Sequence, residues 1–362
     1  MFTAGDCAWA AAVSPVVQLL SVRSGSLLAL SRSCRDDTIG VVPSECEGPA
    51  FIFGTVTRFL IALLMLALAP RVNAQPRHEY AELRMGVETR IVVYASDANA
   101  ARAARSAFAR IAALEDIMSD WRPTSEVRRL DQRHGRWVRV SRPLFDVLSR
   151  AVTIARATDG AFDPTVGPVV ALWREARTRR RLPDSRALDS ARTRVGWRLI
   201  GLDSTRRRVR LATAGMRIDL GGIAKGWIIQ DALAELARLG VTRALIEAGG
   251  DLVVGDAPPG RSGWCIAVAG ADSSLSARAA TITHAAVATS GAESQFVEID
   301  GVRYSHVVDP RTGLGLTNGL TATVIAPHGA SADALATALT VLGTRHAQRV
   351  LARFPNTFAS VR

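Results

Sequence analysis

The chain has 362 residues, 48% of them hydrophobic and 22% charged, so it can bury a sizeable core and does not have the composition of a disordered chain. Its formal net charge is +12, and Lys225 is its single lysine among 45 basic residues. The arginine runs at 179–181 and 206–208 lack interleaved aromatic residues and accompany no nucleic-acid motif, which argues against a nucleic-acid partner.

The amino-terminal part contains a pattern typical of secretion signals. Arg58 precedes the apolar run 59–69, and the small-x-small ending at 72–74 completes the pattern. The run is too short to cross a hydrocarbon core of about 30 Å as a helix, and a buried core helix would not explain that ending. We therefore predict a signal peptide at 56–74 and hypothesise that residues 1–55 are an upstream extension from a misassigned start codon. Because no cysteine follows the run, we expect an exported periplasmic protein, soluble or peripheral to the inner membrane, and not a lipoprotein.

Residues 75–362 make up the predicted folded body. The pattern predicts two β segments within 79–95, around Met85-Gly86, and then a helix from Asp97 to about Met118 with apolar residues at helical spacing. Further predicted elements are helices at 143–157, 225–239 and 332–342, the last capped by Ser331, and strands within 195–218 and at 244–247, 264–269, 296–299 and 322–325. Strands and helices follow one another without a regular βαβ rhythm, so we predict an α+β fold with a largely antiparallel sheet.

The segment IDLGGIAKGW, residues 218–227, is the strongest candidate for a nucleotide-binding turn. A predicted strand ends in Asp219, two glycines follow, and a helix begins near Ala224. Glycines let the backbone approach a ligand closely, and the first N–H groups of a helix favour a phosphate. Lys225 adds a cation suited to phosphate, and Asp219 suits a ribose or amide donor. Taken alone, the segment is also compatible with an ordinary strand-to-helix turn.

Two more segments place polar groups in turns. GAFDPTVGP, residues 160–168, holds two prolines and two glycines, and we expect this irregular loop to expose Asp163 and Thr165. A plain connecting loop explains the same residues equally well. AVATSG, residues 286–291, places two hydroxyl groups and a glycine at the end of a predicted strand. Such a turn can cradle a phosphate or simply end the strand.

Two carboxy-terminal segments carry groups suited to catalysis and metal binding. In RYSHVVDPRTG, residues 303–313, His306 stands beside a hydroxyl and an Asp-Pro turn, although a lone histidine in such a place is often structural. In SADALATA, residues 331–338, Asp333 and Thr337 are four apart on a predicted helix, so their oxygens share one face. Hard oxygen donors suit Mg²⁺ better than zinc or copper. An aspartate near a helix start and a packed threonine would give the same pattern.

Together and in this order, these segments resemble the FAD:protein FMN transferase family, also called the ApbE family. The resemblance runs from about residue 80 to residue 351 and rests on MSDWRPTSEVRRL, DGAFDPTVGP, DLGGIAKG, EAGGDL, ATSG, YSHVVDPRTG and SADALATAL. It implies a T-fold-like domain with a mixed, largely antiparallel sheet and packed helices that binds FAD with Mg²⁺. It further implies transfer of FMN to a Ser or Thr hydroxyl of a target protein through a phosphoester, with release of AMP.

The resemblance also implies roles for individual residues. Flavin and adenosine contacts would be Met85, Trp121, Ala161, Phe162, Asp163, Asp219, Lys225 and Val307. The metal ligands would be the Gly222 carbonyl, Asp333 and Thr337, and His306 would be catalytic. The implied partner is an acceptor protein with a Ser/Thr flavinylation motif, such as a membrane redox subunit. Two alternatives stay open: hydrolysis of FAD to FMN and AMP, and flavin binding without catalysis.

Overall fold

The computed structural model describes residues 75–268, 278–291 and 295–362; the predicted signal segment and the residues before it lie outside these ranges. The strands are β1 (Arg77–Arg84), β2 (Val87–Tyr94), β3 (Val138–Arg139), β4 (Ile200–Asp203), β5 (Arg208–Leu211), β6 (Ala244–Ala248), β7 (Asp251–Val254), β8 (Trp264–Val268), β9 (Arg278–Ile282), β10 (Ala285–Gly291), β11 (Phe296–Ile299), β12 (Val302–Ser305), β13 (Thr321–Ala326) and β14 (Phe358–Val361). The helices are α1 (Asp97–Met118), α2 (Glu126–Asp131), α3 (Arg142–Ala157), α4 (Gly167–Arg179), α5 (Ser185–Arg192), α6 (Ala224–Arg238), α7 (Gly329–Leu342) and α8 (Thr344–Leu351). Among the described residues, no helix is long and apolar enough to cross a membrane.

A seven-stranded antiparallel sheet is the centre of the fold. Its strand order is β1-β2-β6-β7-β10-β13-β14. Side chains alternate between its two faces, so Ile91 and Val93 pack into the main core while Val92 packs into a separate cluster on the other face. The predicted α+β class with a largely antiparallel sheet is confirmed.

Helices α1, α6 and α7 cover the main-core face of this sheet, and α6 and α7 touch backbone to backbone. A Cβ built on Gly226 would lie 2.2 Å from the carbonyl oxygen of Gly329, and one built on Gly329 would lie 2.1 Å from the carbonyl oxygen of Gly226. Both positions therefore require glycine, because any side chain would push the two helices apart. This close approach brings the start of α6 against the start of α7.

The opposite face of the sheet and the far side of the core carry smaller units. The β8–β9 hairpin packs on the sheet through Trp264, whose ring lies 5.9 Å from that of Tyr94. The β11–β12 hairpin packs against α4, where the rings of Trp173 and Tyr304 are 5.2 Å apart. Trp173 also donates from Nε1 to the carbonyl oxygen of Gly313, at 2.8 Å. Helix α4 is thereby fixed beside the loop that follows β12.

Two local predictions have opposite outcomes. The hairpin around Met85-Gly86 is confirmed, since both residues have positive φ (53° and 75°) and form the tight turn between β1 and β2. The prediction that Ser331 caps the last long helix is wrong. Helix α7 begins at Gly329 after His328, and Ser331 is buried inside it, where it accepts a hydrogen bond from Arg150 at 2.5 Å.

Candidate functional site

The DLGGIAKG turn is built on the carboxylate of Asp219. Its Oδ1 accepts the N–H of Gly221 at 2.8 Å, which closes an Asx-type turn directly before α6. The N–H of Asp219 donates to the carbonyl oxygen of Pro164 at 2.8 Å, so the GAFDPTVGP loop lies beside this turn. Burial and the nearby charge of Asp120 raise the pKa of Asp219. Two segments that are separate in the sequence therefore form one wall of the site.

The prediction that the GAFDPTVGP loop exposes Asp163 and Thr165 is wrong. Both side chains are buried, and Asp163 Oδ1 accepts from the backbone N–H of Thr165 at 2.9 Å and from its hydroxyl at 2.6 Å. Asp163 Oδ2 accepts the N–H of Trp197 at 2.9 Å. Burial raises the pKa of Asp163 against the opposing effect of these hydrogen bonds. The carboxylate is thus used to fix the loop, because a buried charge needs partners for its lone pairs.

The three residues implied as metal ligands come together where α6 and α7 meet. Thr337 Oγ1 lies 2.9 Å from the point where a Cβ on Gly222 would stand, so this hydroxyl faces the glycine. Asp333 is buried, and its Oδ2 accepts the N–H of Gly226 at 3.1 Å. Burial and the charge of Asp251 raise the pKa of Asp333 to about 7. Among the described residues, no group of three or more His, Cys, Asp or Glu side chains forms a metal site, so any cation here would need hydroxyl and carbonyl oxygens as well.

Lys225 does not extend freely into solvent but forms an ion pair. Its Nζ donates to Asp251 Oδ2 at 2.6 Å, and Asp251 is itself 3% exposed. Burial acts to lower the pKa of Lys225, but the charges of Asp251 and Asp333 outweigh it, so the pKa is raised and the ammonium stays protonated. The EAGGDL segment carries Asp251, yet the sequence assigned it no role, because the Lys225 contact joins residues 26 apart.

A charged cluster supports the Asp219 turn from behind. Arg174 of α4 pairs with Asp120 and lies 3.7 Å from Asp219 Oδ2, and its guanidinium stacks 3.9 Å above the ring of Trp121. Trp121 is 72% exposed, so one face of its indole is open to a ligand. The sequence placed Trp121 in a turn but gave no sign that an arginine about fifty residues later would cover it.

His306 follows β12 and is solvent-exposed. Its Nδ1 lies 3.1 Å from the carbonyl oxygen of Gln295, which can only accept, so Nδ1 carries the proton and Nε2 keeps its lone pair. Partial withdrawal from water lowers the pKa of His306, opposed by the Gln295 hydrogen bond and assisted by the positive charges of Arg177 and Lys225. The lowered pKa favours the neutral imidazole near pH 7, in which Nε2 can accept a proton.

The remaining implied contacts are mostly buried. Phe162 and Ala161 are 4% and 1% exposed, and Phe162 Cε2 lies 3.4 Å from a Cβ built on Gly222. Val307 is buried beside His306, with its N–H donating to the hydroxyl of Ser305 at 3.1 Å. These apolar side chains pack beside Gly222 and His306 and surround the polar groups of the site.

Met85 lies at the same end of the sheet as the Lys225 ion pair. The hairpin turn that holds it connects to β2, whose Thr89 pairs with Ala248 of β6, and Ala248 pairs with Asp251 across the next turn. A Cβ on Gly249 of that second turn would lie 2.9 Å from Val87. The two turns are therefore neighbours at one edge of the site.

Acidic, basic and apolar groups meet at this end of the sheet, and comparison with known proteins shows the family to which the chain belongs. The ApbE family model matches residues 85–361. An FAD:protein FMN transferase of Treponema pallidum is 33% identical over 76% of this chain and 81% of its own length. One of Klebsiella pneumoniae is 32% identical over 74% of this chain and 83% of its own.

The solved structures agree with the sequence comparison. The crystal structure of the ApbE protein of Thermotoga maritima has a TM-score of 0.70 and 30% identity, and the match covers 78% of this chain and 92% of that one. The chain belongs to the ApbE family. The resemblance inferred from its motifs is confirmed.

Proposed function

We propose that this protein transfers FMN from FAD to a Ser or Thr hydroxyl of an acceptor protein, forming a phosphoester and releasing AMP, with Mg²⁺ bound at Gly222, Asp333 and Thr337. The observation that carries the proposal is an oxygen-donor set beside the Lys225 ion pair, with His306 within electrostatic range of that lysine. A hydroxyl group that attacks a pyrophosphate requires such groups: positive charge at the phosphate oxygens and a base that accepts the hydroxyl proton.

The donor set fits a hard divalent cation. Asp333 is buried, one of its oxygens accepts from Gly226, and no described residue donates to the other. Thr337 directs its hydroxyl toward Gly222, where a side chain would fill the space. A carboxylate, a hydroxyl and a carbonyl are hard ligands, and Mg²⁺ takes water and phosphate oxygens for its other positions. When bound, the cation would neutralise charge on the pyrophosphate.

Residues of the chain itself would provide the base, the positive charge and the stacking surface. His306 Nε2 accepts the proton of the acceptor hydroxyl, and the hydroxyl oxygen then forms a bond to the phosphorus of the FMN half. The bond from this phosphorus to the bridging oxygen breaks, and AMP leaves with that oxygen and its electron pair. Lys225 places positive charge by the phosphates, and the exposed face of Trp121 offers a stacking surface for an aromatic ring of the nucleotide.

Incubation of the protein with FAD, Mg²⁺ and a candidate acceptor tests the proposal. Flavin fluorescence that migrates with the denatured acceptor supports transfer. Release of AMP without acceptor would indicate hydrolysis instead, and bound FAD without either product would indicate a binding protein.

A matched pair of variants makes the test specific for the metal site. Thr337→Val removes the hydroxyl implied as a ligand, so we expect transfer to require much more Mg²⁺. Thr340→Val makes the same change one turn along α7, where the hydroxyl only donates to the Ala336 carbonyl at 2.7 Å. We expect its Mg²⁺ dependence to match that of the wild type. The same Mg²⁺ requirement in all three proteins would contradict the assignment.

We also propose that the protein acts on an acceptor in the periplasm. The support is the predicted signal at 56–74 with no following cysteine. Amino-terminal sequencing of the native protein from fractionated cells checks this proposal. A start near Gln75 in the periplasmic fraction is expected, and a cytoplasmic protein that retains residues 1–50 would contradict it.

A further inference from the structure

A buried carboxylate outside the implied ligand set holds the lysine of the site. Asp251 opens β7 and is 2% exposed as a residue. Its Oδ2 accepts from Lys225 Nζ at 2.6 Å, and its Oδ1 accepts the N–H of Thr289 at 3.3 Å. One side chain therefore connects β7 to the start of α6 and to the ATSG segment of β10.

This contact restrains Lys225 without occupying all of its donors. An ammonium group carries three N–H donors, and Asp251 accepts one of them. The Lys225 side chain is 31% exposed, so the other donors can reach a bound ligand. A free lysine side chain would lose rotamer entropy on binding, and a lysine already fixed by a charge-assisted hydrogen bond has lost much of it beforehand.

The position of Lys225 makes this restraint relevant to the nucleotide. Its charge acts on both Asp333 and His306, so it lies within electrostatic range of the implied metal ligand and of the implied base. In the proposed complex with FAD, the pyrophosphate would lie near the implied metal ligand, and an ammonium held there could donate to it. Without Asp251, the same side chain could turn toward solvent, because Asp251 is its one hydrogen-bond partner among the described residues.

We propose that Asp251 is a positioning residue for the nucleotide diphosphate, which fixes Lys225 so that the free N–H donors of the ammonium meet the pyrophosphate oxygens. This inference rests on the proposed use of FAD. It gives Asp251 no contact with the substrate, so at saturating Mg²⁺ its effect on affinity passes through Lys225. The effect is also confined to ligands that carry phosphate.

A double-mutant cycle tests the coupling. The affinities of ADP and of riboflavin, each with saturating Mg²⁺, are measured by titration calorimetry for wild type, Asp251→Asn, Lys225→Met and the double variant. We expect each single change to weaken ADP binding about tenfold or more, as for loss of a charge-assisted hydrogen bond. The double variant should be within about twofold of Lys225→Met, and riboflavin affinity should not change.

Asp231→Asn is the matched control. Asp231 lies on the same helix as Lys225 and pairs with Arg110 at 2.6 Å. The change removes one carboxylate of an ion pair without touching Lys225, so we expect ADP affinity equal to that of the wild type. A loss as large as that of Asp251→Asn would overturn the inference, because it would show a general response to losing a carboxylate near α6.

Each of the other outcomes either supports or overturns the inference. If Asp251→Asn lowers ADP affinity equally in the wild-type and Lys225→Met backgrounds, the inference is overturned. Unchanged ADP affinity in Asp251→Asn would also overturn it. If Asp251→Asn fails to fold, because it leaves a half-buried ammonium unpaired, the double variant removes both charges and is compared with Lys225→Met. A further tenfold loss relative to Lys225→Met then overturns the inference, and equal affinity supports it. Wild-type protein that binds neither ADP nor FAD would instead overturn the proposed function.

Discussion

Lowering the pH should weaken Mg²⁺ binding through Asp333. Burial and the charge of Asp251 raise the pKa of this carboxyl to about 7, and a proton competes with the metal for the same oxygens. The ionised fraction is about 0.9 at pH 8 and about 0.1 at pH 6 for a pKa of about 7. The apparent dissociation constant for Mg²⁺ should therefore rise about tenfold between pH 8 and pH 6. An ordinary aspartate would stay ionised over this range and give no such change.

Calorimetric titration of Mg²⁺ into the FAD-loaded protein at pH 8, 7 and 6 measures this change. Asp333→Asn is the control, because an amide does not titrate in this range. We expect the variant to bind Mg²⁺ weakly and with little pH dependence. A wild-type Mg²⁺ affinity that is flat from pH 8 to pH 6 would refute the reasoning, and an equal slope in Asp333→Asn would assign the titration to another group.

Three further changes have defined outcomes. His306→Ala should keep FAD affinity and slow transfer by about 10²- to 10⁴-fold, as for loss of a general base; unchanged transfer rates would contradict that role. Arg177→Gln should raise the pKa of His306 and move the acidic limb of the pH–rate profile to higher pH, since the Arg177 charge lowers that pKa. Arg179→Gln, which removes an arginine paired with Glu175 at 2.8 Å, should leave the profile in place. Gly226→Ala should destabilise the fold by about 1–3 kcal/mol in chemical denaturation, because its Cβ would meet the Gly329 carbonyl at 2.2 Å; wild-type stability would show that the helices can separate freely.

Local signals were sufficient for the regular elements. The helix predicted from Asp97 to about Met118 is observed with those bounds, because its small and apolar residues recur at the spacing of one helix face. The β1–β2 hairpin was predicted from a two-residue turn that ends in Gly86. Helix α4 was not predicted, because Gly167 and Pro168 at its start were interpreted as parts of a loop. A proline in the first turn is nonetheless compatible with a helix.

Contacts between distant segments were not accessible in this way. Asp251 and Lys225 lie on different elements, and only the packing of α6 on β7 brings their charges to 2.6 Å. Arg174 reaches Asp120 and Asp219 because Trp173, its neighbour on α4, is fixed to the loop after β12. The family motifs identified the segments that meet, but they did not determine which carboxylate would face which cation.

The hydrogen bonds of the aspartates in the site indicate which of these carboxylates can act on a ligand. Asp163 and Asp219 both belong to strong motifs, but Asp163 accepts backbone N–H groups with both of its oxygens, whereas Asp219 accepts one, from Gly221 of its own turn. Asp333 retains an oxygen that no described donor uses, and Asp251 meets the lysine. A buried carboxylate whose oxygens accept backbone N–H groups stabilises the loop, whereas one with an unused oxygen can bind a ligand and one paired with a lysine can position that lysine. Motif strength alone would rank Asp163 with Asp333, but the hydrogen bonds separate them. We therefore expect Asp163→Asn to act mainly through loop stability, measurable in chemical denaturation, and Asp333→Asn mainly through Mg²⁺ affinity.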